Sequence, residues 1–108
     1  MTHHEVPEHY KSLQQRFADV IEGVEALGAT IRNRGPINKR TAHLIQMAAA
    51  AAIGSEGSVQ SHARRALEAG ASTEELCHAI LLLVSTIGFP RAAAGIKWVD
   101  AVIAAAAE

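Results

Sequence analysis

Apolar positions at Tyr10, Leu13, Phe17, Val20, Val24, Leu27 and Ile31 recur every three or four residues without a break. This heptad stripe predicts one long amphipathic helix from Pro7 onward. Gly23 and Gly28 each weaken such a helix by roughly 1 kcal/mol relative to alanine, so a bend or an early end is expected near Gly28. Gly35-Pro36 is the first firm break, and Asn38 suits the N-cap of a second helix over residues 39–53. There Leu44, Ile45, Met47, Ala48, Ala51 and Ala52 are apolar over more than half the circumference, which predicts burial on most sides with His43 at the polar boundary. Gly54 ends that helix, and a third follows almost at once and closes at Gly70. Ser72 and Glu75 then make a capping-box signature that opens a helix over residues 73–87. Its run from Ala79 to Val84 is apolar all round, which marks it as the central helix, with His78 expected to be buried beside it. Gly88-Phe89-Pro90 stops it, and Pro90 suits the first turn of a last helix through Ile96, Val99 and Ile103. Residues 1–6 carry no period and are expected to fray.

These periods leave no strand candidate and define an all-α chain of about five or six helices, with residues 1–108 forming one domain. Alanine fills 22 positions and aromatic residues only 4%, so the helices are expected to pack closely. A domain of this size buries a modest core. The amphipathic stretch over residues 7–34 is longer than a few short helices need to cover, so self-association into a homo-oligomer is expected. Ten basic against eleven acidic residues give a net charge of −1, which offers no field to attract nucleic acid or an acidic membrane. The longest apolar run is far too short to span a bilayer. The single Cys77 cannot form an internal disulfide and no apolar signal segment stands at the amino terminus, so a reducing, cytoplasmic setting is expected.

Candidate chemistry gathers on the third helix. His62 shares its apolar stripe with Val59, Ala63 and Ala66, so a titratable ring points inward. Ser55, Ser58 and His62 stand three and then four residues apart, which lines two hydroxyls and an imidazole along one face. The four-residue step from Ser58 to His62 permits a hydrogen bond, although no orienting acid for the ring is evident. Plainer uses exist for each: N-capping for Ser55 or Ser58, a favourable dipole contact for Glu56, and solvation of a helix face for Arg64, Arg65 and Arg91.

Residues 35–100 resemble the carboxymuconolactone decarboxylase family, which includes the alkylhydroperoxidase D-like proteins. The landmarks are the buried helix from Leu44 to Gly54, Ser61-His62-Ala63-Arg64, Ala66-Leu67-Glu68-Ala69-Gly70-Ala71-Ser72, Glu74-Glu75-Leu76 and Gly88-Phe89-Pro90. The resemblance implies an antiparallel helical bundle of the alkylhydroperoxidase D-like type, assembled as a trimer or hexamer. In the family's redox branch a Cys-x-x-Cys pair opens the focal helix; here those positions are Ser55 and Ser58, while the following histidine is kept as His62. A hydroxyl cannot form a disulfide or cycle through a sulfenic acid, so thiol peroxidase activity is not expected.

The segment around His62 is closer to the decarboxylase branch, although that branch usually carries acids where this chain has His43 and His78. The reading implied is a lyase or isomerase that requires no cofactor and acts on a small carboxylated lactone or related acid. His62 would be its acid or base and His43 the partner, with Ser58 and Glu56 beside them and Arg64 and Ser55 holding the substrate carboxylate. A second reading has His43, His62 and His78, from successive helices, ligating zinc or a similar divalent ion. A third is an oligomeric module without catalytic activity.

Overall fold

The computed structural model describes residues 7–107, so the fraying expected of residues 1–6 lies outside the described part. Every regular element among these residues is helical: α1 (Glu8–Arg16), α2 (Ala18–Arg32), α3 (Lys39–Ala52), α4 (Glu56–Glu68), α5 (Thr73–Leu81), the single turn α6 (Val84–Ile87) and α7 (Phe89–Ala106). Six helices of nine residues or more, plus one turn, make the all-α fold that the periodicity predicts.

The first stripe is divided where no glycine or proline marks it. Phe17 leaves helical geometry at φ −135° and ψ 51°, and α2 then runs through Gly23 and Gly28 to Arg32. The expected end near Gly28 is therefore displaced to Phe17. The break folds α1 back on α2, so that the Tyr10 hydroxyl donates a hydrogen bond to Glu25 Oε2. Fifteen residues of straight helix would hold these two roughly 22 Å apart. α1 accordingly packs on α2, and neither helix contributes a buried residue.

The core belongs to the remaining helices. Met47, Ala50 and Ala51 of α3, Val59, Ala63 and Ala66 of α4, Leu76 and Ile80 of α5, and Ala92, Val99 and Val102 of α7 are all buried. Asn38 caps α3 by accepting from the Thr41 amide at 2.8 Å. Between α3 and α4 the Gly54 amide donates to Ala51 O and the Ser55 amide to Ala50 O, a paired closure that requires a left-handed residue, and Gly54 supplies it at φ 76°. The Arg91 guanidinium lies over Gly54, where a side chain would have to displace it. The resulting linker is so short that α4 must turn straight back along α3. Ser72 and Glu75 form the capping box on α5.

The predicted helix over residues 73–87 is broken at Leu82 and Leu83, and it is not central. Leu81 and Leu82 face outward, whereas α7 packs against α3, α4, α5 and α6. Small residues permit that placement: a Cβ at Gly95 would sit 3.1 Å from Ile80 Cγ2 and 3.3 Å from Ala51 Cβ.

Candidate active site

α3 and α4, held antiparallel by the Gly54 turn, bring His43 and His62 together. Their Nδ1 atoms are 3.1 Å apart, with ring centroids at 5.3 Å and planes tilted by 36°. A hydrogen bond between the two Nδ1 atoms takes one proton, carried by either ring: a neutral ring that donates it keeps a bare Nε2, and a neutral ring that accepts it carries its own proton on Nε2. His43, placed by its sequence at a polar boundary, is instead 0% exposed. Its Nε2 is buried without a hydrogen-bond partner among the described residues. His62 is half-buried and reaches a cleft.

That cleft has a volume of about 540 Å³, within the range of small-molecule sites, and lies between the α1–α2 pair and α4. Tyr10 of α1 and Glu25 and Arg32 of α2 line one side; Ser58, Ser61, His62, Arg64 and Arg65 of α4 line the other. Arg32 and Arg65 are half-buried and form no ion pair with a carboxylate among the described residues. Arg32 Nη1 donates at 3.4 Å to the neutral oxygen of Gln46.

These uncompensated cations act on the histidines. Burial is the larger cause, and the Arg32 and Arg65 charges add to it, so that His43 is pushed down from 6.5 to about 4. His62 is likewise lowered to about 4, first by burial and then by Arg65 and Arg32. Both rings are thus neutral at pH 7, and His62 offers a bare Nε2 as a proton acceptor in the tautomer whose Nδ1–H donates to His43. Burial and Glu25 together push the Tyr10 phenol up, with Arg65 pulling the other way, so Tyr10 keeps its proton.

The predicted site residues divide. His62, Ser58, Glu56 and Arg64 line the cleft, and His43 backs His62 from the core. Glu56 is exposed. Ser58 makes no hydrogen bond to His62 among the described residues, which leaves it without the contact a serine nucleophile needs. Ser55 occupies the N-cap position of α4, yet its side chain makes no capping bond and does not line the cleft. Arg91 lies over Gly54.

His78, expected to be buried, is exposed and lines a different groove of about 380 Å³ with Leu44, Ala48 and Leu82. No group of three His, Cys, Asp or Glu side chains among the described residues is placed to hold a metal ion. Among the described residues the three-histidine set is therefore not assembled within one chain, because Leu76 and Ile80 face the core and His78, two residues from each, emerges on the opposite side of α5. Arg32, Tyr10 and Glu25 are the cleft residues that sequence reasoning missed; only their tertiary placement identifies them.

The carboxymuconolactone decarboxylase family profile matches residues 18–101, and the chain belongs to that family. The match begins at the first residue of α2 and takes in α3 to α6 and most of α7, while α1 and its Tyr10 lie outside it. No curated protein matches the chain. As a member it lacks the Cys-x-x-Cys pair, since its one cysteine, Cys77, stands on α5 away from both redox positions. Among the described residues no helix is long and apolar enough to cross a membrane.

Proposed function

We propose that this protein is a non-redox lyase or isomerase that needs no cofactor and acts on a small carboxylate, a carboxylated lactone or a related acid. The observation that carries the reading is a neutral imidazole pair opening into an arginine-walled cleft. Arg32 and Arg65 hold the substrate carboxylate, with Arg64 beside them. His62 takes a proton from the bound acid, and His43 keeps the ring in place. An imidazole held neutral can return that proton to another atom, which is an isomerisation, or to a leaving group, which is an elimination. Plain decarboxylation needs a proton from elsewhere at the carbanion stage, so the resting state of His62 favours the first two. The same arginines oppose a cation beside the histidines, which argues against the divalent-metal alternative.

The test is proton NMR in heavy water of small acids, monocarboxylated lactones and hydroxy acids among them, incubated with the protein. Deuterium incorporation or turnover is expected, falling by about a hundredfold or more in His62→Ala, as loss of a general base does. Turnover that survives His62→Ala, or that stops when a chelator is added, would overturn the reading.

The working form in this proposal is a homo-oligomer, a trimer or hexamer, in a reducing cytoplasm. Support for assembly comes from the α1–α2 stripe, where Phe17, Val20, Val24, Leu27 and Ile31 are between 44% and 61% exposed. Ser55 and Ser58 at the redox positions support the absence of thiol peroxidase activity.

A further inference from the structure

The cleft holds an anion where an anion receptor has no use for one. Glu25 lines the same wall as Arg32, yet it forms no ion pair with Arg32 or Arg65 among the described residues. Tyr10 accounts for this. Its phenol donates to Glu25 Oε2, while the Arg65 guanidinium approaches the same phenol oxygen. The phenol is therefore a spacer that keeps a carboxylate and a guanidinium apart within one small cavity. Glu25 Oε1 has no hydrogen-bond partner among the described residues. An ionised carboxylate only accepts hydrogen bonds, so a ligand that is anionic at both ends is repelled there, and one with a bare hydrocarbon end leaves the oxygen unpaired.

We propose that Glu25, positioned by Tyr10, selects acids that carry a hydrogen-bond donor near their carboxylate, so that the substrate class is a small hydroxy acid. This rests on the reading of Arg32 and Arg65 as the carboxylate clamp, and it adds a second recognition point opposite them. Tyr10, on α1, lies outside the residues that the family profile matches, whereas Glu25 lies within them.

Three rigid probes that differ in one substituent separate the cases: benzoate, 3-hydroxybenzoate and isophthalate, titrated into the intact protein by calorimetry or ligand-observed NMR. 3-Hydroxybenzoate should bind about tenfold more tightly than benzoate, the lower end for a hydrogen bond to a charged group, and isophthalate should bind most weakly. Glu25→Gln keeps an acceptor for Tyr10 but removes the charge, so isophthalate should gain and the hydroxyl preference should shrink to within about twofold. Tyr10→Phe lets Glu25 reach Arg65, and all three probes should weaken together. Equal binding of benzoate and 3-hydroxybenzoate, or a hydroxyl preference kept in Glu25→Gln, overturns the proposal while leaving the arginine clamp standing. If no probe binds and Arg65→Gln changes nothing, the clamp fails and this proposal fails with it.

Discussion

The α1–α2 pair and the α3–α7 bundle use apolar residues in opposite ways. In the bundle, Met47, Leu76, Ile80, Val59 and Val99 are fully enclosed; in the pair, a longer and more regular apolar stripe encloses nothing. Strong periodicity therefore identifies a helix face without saying what covers it. The short side chains on the buried faces of α4 and α7 mark the core because small residues let helices approach closely. Yet the open pair is not idle. It carries Arg32, Tyr10 and Glu25 to the cleft, while the bundle supplies the two histidines.

The largest contrast should appear in stability. Leu76→Ala removes a fully buried side chain and should cost about 2–5 kcal/mol in denaturant unfolding. Val24→Ala, on the exposed stripe, should change the unfolding of the isolated chain by under about 0.5 kcal/mol. A comparable cost at both positions would erase the distinction between the regions.

Association should reverse that order. Phe17→Glu places a charge on the stripe and should dissociate the assembly in light scattering, with helical circular dichroism largely kept. A wild-type protein that already scatters as an 11.4 kDa monomer at micromolar concentration would remove the partner that the stripe is assigned.

A third prediction joins the regions through pH. His43 and His62 have folded-state values near 4 against 6.5 when free. Between those values the unfolded chain binds protons that the folded chain does not. Stability contributed by the neutral pair is therefore fully present above about pH 6.5 and declines as the pH falls toward 4. Urea unfolding at successive pH values should show this slope, and His62→Gln should flatten it.

The smallest effect concerns caps. Ser72→Ala should cost about 1 kcal/mol, since both capping-box bonds are made, at 2.9 and 3.0 Å. Nothing similar can be removed from the open pair, because Pro7 and Phe17, the N-caps of α1 and α2, make no side-chain bond. Thermal melts of Ser72→Ala beside Ser55→Ala sharpen the point, since Ser55 makes no capping bond either and its loss should be nearly silent.

What the sequence disclosed follows the range of the forces involved. Local chemistry was legible: the Asn38 cap, the capping box at Ser72, and the breaks at Gly54, Gly70 and Gly88, each at positive φ. The break at Phe17 was not, because α1 folds back on α2 there and no glycine or proline signals it locally. The turn at Leu82 and Leu83 was hidden by an unbroken apolar run, which reads the same for a buried helix and for one that turns its leucines outward. Within the site, His62 was legible from its place on an apolar stripe and His43 through the family landmarks, and His78 was grouped with them because helix order alone does not give the side on which a residue emerges. Arg64 was preferred over Arg65, although Arg32 and Arg65 are the cations that bear on both histidines. Charge without a counter-charge becomes visible only when the chain is folded.

The central claim is that burial and two arginines without an ion pair among the described residues keep the His43–His62 pair neutral beside the cleft. Its most direct test is an NMR titration of the imidazole signals, assigned with His43→Gln and His62→Gln, from pH 8 downward in ligand-free protein. The account predicts that neither ring protonates above about pH 5, and that Arg32→Gln moves the His62 midpoint upward from about 4. A wild-type midpoint near 6.5 for either ring, unmoved by Arg32→Gln, would contradict it.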